Sequence, residues 1–116
     1  MGERSQNLRL ADIAGAIELI DSEMTGVTLQ AFATDTRKRW LVERGIEIIS
    51  EASRHLDAAV KQRHPQIPWP KAAGIGNIIR HDYERVAYDV LWHVVRHDLP
   101  ALLHVCRAEL AANPDR

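Results

Sequence analysis

The chain has 116 residues, 46% of them hydrophobic and 27% charged, a net charge of −1 and a single cysteine. That is one domain's worth of chain, able to bury roughly 65% of its unfolded surface in one core without metal or disulfide staples. The near-zero balance excludes indiscriminate polyanion binding as the main activity, and one cysteine excludes an intramolecular bridge. No charged-then-apolar leader and no apolar run of roughly 18 to 20 residues is present, so a soluble, cytoplasmic protein with no membrane contact is expected.

Charge is unevenly spread. Residues 1–36 carry two Arg against six Asp/Glu, a balance of −4; residues 37–68 carry seven Lys/Arg against four acids, a balance of +3; the remainder has six of each. A polyanion could be held only in a cleft that gathers arginines from several helices, or from two subunits.

Leu10, Ile13, Ala14, Ile17, Ile20 and Met24 form one stripe of an amphipathic helix over 8–24 that stops near Gly26. Its acids, Asp12, Glu18, Asp21 and Glu23, fall outside the stripe and read as a solvated face. Thr28 opens a short helical turn through Ala33, and Asp35, or alternatively Thr34, caps the next helix. Leu41, Gly45, Ile48, Ile49, Ala52, Leu56, Ala59 and Val60, widened by Val42 and Ile46, predict one helix from about 35 to 63. At 1.5 Å per residue it would run roughly 43 Å, longer than one small core requires. With Gly45 marking a close backbone approach, this helix is the expected element of a homodimer. Arg37-Lys38-Arg39 at its start reads as a solvated first turn, with phosphate contact the alternative.

His55 and His64 have no partner at a telling spacing and are expected at the surface. Pro65 ends the long helix, Pro68 opens the next, and Trp69 should anchor the connection. After a connection over 84–87, Tyr88 to His97 gives a helix with Leu91, Val94 and Val95 inward. Pro100 restarts the chain for a last helix with Ala101, Leu102, Val105, Cys106 and Leu110, ending at Asn113-Pro114; Cys106 reads as a core thiol. His93 and His97 are one turn apart but lack a third ligand at a metal-site spacing, and no metal or cofactor is expected. No stretch alternates like a strand. Residues 1–116 therefore read as a single all-α domain, an up-and-down bundle of about five helices with no strands.

The helical pattern from Pro68 to about Glu84 holds the polar residues of interest. Ala73, Gly76, Asn77, Arg80, His81 and Glu84 share one helix face, and Ala72, Ile75, Ile78 and Ile79 share the other. Small residues beneath an amide, a guanidinium and an imidazole predict a hollow. An arginine and a histidine over such a hollow suit cleavage of RNA by attack of the ribose 2′-OH on its own phosphate.

These residues also carry a resemblance. Ile67-Pro68-Trp69, then Ala73-Gly74-Ile75-Gly76-Asn77-Ile78-Ile79-Arg80-His81-Asp82-Tyr83, then Leu91-Trp92 and Asp98-Leu99-Pro100-Ala101-Leu102, resemble the HepT-like minimal toxins of the HEPN superfamily. Ile48-Ile49-Ser50-Glu51-Ala52 looks like that family's Gly-Glu-Ala stretch, so the likeness covers about residues 5 to 112. It implies a HEPN-like homodimer with metal-independent ribonuclease activity on RNA, tRNA in particular, acting as the toxin of a toxin–antitoxin pair. The implied antitoxin partner is a minimal nucleotidyltransferase that attaches AMP to a tyrosine.

The family signature is Arg-x4-His-x-Tyr. His81 and Tyr83 match it and Asn77 matches the Asn that usually follows the arginine, whereas the arginine position itself is Gly76. His81 is then the proton-transfer residue, Asn77 orients it or donates to phosphate, and Tyr83 is the substrate contact and the modified hydroxyl. Arg80 lies one turn after Gly76, and a helical side chain slants back toward the N-terminus, so its guanidinium is expected near the vacant arginine position. The rival arrangement pairs Arg80 with Glu84 and leaves a catalytically degenerate module that binds a nucleotidyltransferase.

Overall fold

The computed structural model describes residues 3–82 and 88–116, with the backbone alone described for residues 3–5 and 80–82. The helices are α1 (Glu3–Met24), α2 (Leu29–Ala33), α3 (Thr36–Arg54), α4 (Ala58–Arg63), α5 (Trp69–Asp82), α6 (Tyr88–His93) and α7 (Leu99–Ala112). No strand occurs among the described residues, and the architecture is the expected all-α HEPN-like bundle.

The stripe predicted for α1 is the core: Leu10, Ile13, Ala14, Ile17, Ile20 and Met24 are all buried. Gly26, at φ 75°, turns the chain out of α1. Thr28 then caps α2 by accepting from Ala31 N–H, and Asp35 caps α3 by accepting from Lys38 N–H, which decides between the two sequence candidates. Arg96 clamps the α1–α2 connection. Its guanidinium donates to the carbonyls of Met24 and Val27 and lies 4.4 Å from the centre of the Trp92 ring.

α3 is the central element, with α1 along one side and α5 along the other. Its buried line is Val42, Gly45, Ile46, Ile49, Ser50, Ala52 and Ser53, rotated from the predicted one, so that Ile48 stands 36% exposed. Gly45 does mark a close approach, but within the chain. A Cβ there would fall 2.6 Å from Ile20 Cδ1 of α1.

The single helix expected over 35–63 is two. Residues 55–57 interrupt it because Asp57 turns its carboxylate to Val60 N–H and starts α4 afresh. Gln6 of α1 holds the break from both sides, donating to His55 O and accepting from Asp57 N–H. At 19 residues α3 is about 28 Å long and needs no second subunit to cover it; helix length therefore no longer argues for a dimer.

α7 opens with Pro100 in its first turn, as expected, but the chain does not leave helix before it. Residues Val94–Asp98 widen into a π-helical turn between α6 and α7, in which Leu99 N–H donates to Val94 O. Pro100 has no N–H for the carbonyl four residues earlier, and its ring would clash with it; the wider turn relieves both.

Candidate active site

α5 is fixed at its start and along its middle. Trp69 is 8% exposed, and its indole N–H is shared between the carbonyls of Lys61 and His64, the anchor expected for the α4–α5 connection. One turn on, Ala73 O accepts from Ser50 Oγ at 2.6 Å and from Arg54 Nε at 3.0 Å, and Gly76 N–H donates to Ser50 Oγ at 3.2 Å. A serine on α3 thus bonds two consecutive turns of α5.

The hollow predicted beneath the polar residues is absent at Gly76, because α3 fills the space. Gly76 is buried, and a Cβ there would lie 2.7 Å from Ser50 Cβ and 3.3 Å from Glu47 Cα. The face assignment shifts accordingly. Ile79 is buried, as expected, but Ile78, assigned to the core face, is 52% exposed, and Asn77 is exposed beside it.

Residues 80 and 81 lie in the last turn of α5, with 81 one turn after Asn77. The side chains of Arg80 and His81 lie outside the described residues, as do Tyr83 and Glu84, so the slant of Arg80 toward Gly76 and its rival pairing with Glu84 remain expectations.

One cluster elsewhere was not legible in the sequence. Glu109, within the apolar stripe of α7, is 5% exposed and accepts a two-pronged bond from Arg63 at 2.9 Å on each oxygen, with His64 Nε2 at 2.7 Å and Arg116 at 3.0 Å. His64 is therefore a buried-carboxylate partner rather than the surface residue expected. Arg63, foremost, with His64 and Arg116 holds this carboxyl at about 2 against the opposing effect of burial. His93 and His97, one turn apart as the sequence shows, have exposed rings with centres 4.6 Å apart and planes tilted by 34°. Among the described residues no group of three or more His, Cys, Asp or Glu side chains is arranged to hold a metal. Cys106 is fully buried, and its thiol is pushed up to about 12, first by burial and then by the charge of Glu109.

The family model described as Ribonuclease HepT-like matches residues 13–109. The chain belongs to the HepT-like ribonuclease family. The match runs from α1 through most of α7 and so includes the whole of α5. A Thermococcus cleftensis protein named probable ribonuclease HepT is 38% identical over 100 residues, covering 86% of this chain and 91% of its own. A Methanocaldococcus jannaschii protein named a candidate RNase is 29% identical over 102 residues, covering 88% of this chain and 94% of its own. Another candidate RNase, from Caldanaerobacter subterraneus, is 27% identical over 93 residues, covering 80% of this chain and 83% of its own. No solved structure matches. Among the described residues, no helix of this HepT-like chain is long and apolar enough to cross a membrane.

Proposed function

We propose that the chain is a metal-independent ribonuclease, the toxin of a toxin–antitoxin pair, that cleaves RNA at the C-terminal turn of α5. The observation that carries this reading is the family match across α5, together with the run Asn77-Ile78-Ile79-Arg80-His81-Asp82-Tyr83 within it. In the reaction the ribose 2′-oxygen forms a bond to its own phosphorus, and the bond to the 5′-oxygen of the next nucleotide breaks. His81 moves the proton, since an imidazole titrates near neutrality. Arg80 stabilises charge on the non-bridging oxygens, and Asn77 orients His81 or donates to phosphate. The products are a 2′,3′-cyclic phosphate and a 5′-hydroxyl.

The protein acts as a homodimer whose two copies of α5 line one cleft, with tRNA as the RNA class. A minimal nucleotidyltransferase silences it by joining AMP to Tyr83, adding negative charge and bulk where RNA enters. A second reading is favoured by Gly76, which stands at the arginine position of the family signature and is closed in by α3: a retired enzyme kept as a binding partner of the nucleotidyltransferase. Incubation of a mixed tRNA pool with wild type, His81→Ala and Arg80→Ala in EDTA separates the two. Activity in wild type, reduced at least a hundredfold by either substitution at unchanged folding, is the expected outcome. Inert wild-type protein that still binds the nucleotidyltransferase would establish the second reading.

A further inference from the structure

The outer face of α3 carries an aromatic residue between two cations. Trp40 is 67% exposed, more than any other large hydrophobic side chain among the described residues. Arg37 stands one turn before it and Arg44 one turn after, so the three share a helix face. Arg37 is exposed, with no carboxylate partner among the described residues, and Arg44 is 72% exposed and only loosely paired, 3.7 Å from Glu47. Neighbouring cations are committed: Lys38 to the carbonyl and carboxylate of Glu23, and Arg39 to Glu43 at 3.1 Å.

Register places this strip beside the candidate active site. Arg54 and Ser50 meet α5 at Ala73, and Ser50 and Glu47 meet it at Gly76, so α3 and α5 run antiparallel. By that register Arg44 comes level with the last described turn of α5, which holds positions 80 and 81, and Trp40 stands one turn of α3, about 6 Å, farther on.

Resting on the ribonuclease reading, we propose that Arg37, Trp40 and Arg44 form a binding strip for single-stranded RNA next to the cleavage site. A base stacks on the Trp40 indole, and the two guanidinium groups hold the phosphates on either side. Stacking on an aromatic face tolerates any base, so the strip supplies affinity and placement rather than sequence choice. Charge favours this occupant over a second copy of the chain. A two-fold interface centred on Trp40 would bring Arg37 and Arg44 against the same pair from the other subunit, whereas a polyanion neutralises them.

The test uses a short fluorescein-labelled 2′-O-methyl RNA of mixed sequence, which has no free 2′-OH and cannot be cleaved by the proposed reaction. Anisotropy titrations at several salt concentrations compare wild type, Trp40→Ala, Trp40→Phe, Arg37→Ala and Arg44→Ala, with melting curves as the folding control. Trp40→Ala should weaken binding about tenfold, with Trp40→Phe retaining most of the affinity. Each arginine variant should also reduce the slope of log affinity against log salt by about 0.7. Variants that bind as tightly as a wild type competent in binding and cleavage would overturn the strip while leaving the ribonuclease reading intact. So would a Trp40→Ala protein that turns from dimer to monomer in sedimentation with its RNA affinity per chain unchanged. A wild type that neither binds nor cleaves RNA would remove the ribonuclease reading, and the strip with it.

Discussion

Gly76, which stands where the signature this chain resembles has Arg, and Ser50 of α3 face one another. They touch each other. The Ser50 hydroxyl takes up space beside Gly76 and bonds both Ala73 O and Gly76 N–H. A side chain at 76 must push Ser50 Cβ, which is fixed to the backbone, so Gly76→Ala should destabilise by about 1–2 kcal/mol despite the higher helix propensity of alanine. In a Ser50→Gly background the same substitution should be near neutral. Denaturant unfolding of the four proteins in a double-mutant cycle checks this, and a coupling below about 0.5 kcal/mol would show that the two positions do not contend for one space.

Among the helices, capping decided the boundaries that periodicity could not. Apolar spacing runs through residues 55–57 without a fault, since Leu56 and Val60 are buried on either side of Asp57. The break exists because an aspartate can serve Val60 N–H and Gln6 can serve the backbone groups set free. Asp35 and Asp57 perform the same task for α3 and α4. Each replaced by Ala should lower stability by about 1 kcal/mol, and the two losses should add, because the caps share no partner. Thermal or urea unfolding of the single and double variants measures both quantities. A larger loss for Asp57→Ala would show that the Gln6 bonds depend on that cap.

For the molecule as a whole, Glu109 joins three parts of the chain, the end of α4 through Arg63 and His64, α7 itself, and the C-terminus through Arg116. Arg116 also donates to Asn7 of α1, so the cluster closes the bundle at one end. Held at about 2, the Glu109 carboxyl stays ionised in the folded chain at pH values where the unfolded chain protonates it. Its contribution is therefore complete above about pH 4.5 and is lost as pH falls toward 2. Glu109→Gln should lower the melting temperature at neutral pH and flatten its fall between about pH 5 and pH 2 relative to wild type. Parallel curves for the two proteins across that range would show that other carboxylates govern acid unfolding.

Residue order alone was enough for the class of fold, the stripe of α1, the opening of α2 at Thr28, the Trp69 anchor and the buried thiol of Cys106, because each rests on 3.6-residue periodicity or on chemistry within one turn. It also marked α5 as the element of interest, through the run from Gly76 to Tyr83. Which side of α5 is covered was settled by packing. Gly76 reads as open in a helical projection, yet α3 brings Ser50 and Glu47 against it. The same holds for His64, whose partner Glu109 lies 45 residues away, and for Trp40, whose exposure depends on which face of α3 its two neighbouring helices take. Contacts between helices distant in sequence leave no period along the chain, so their partners emerge only in the packed molecule.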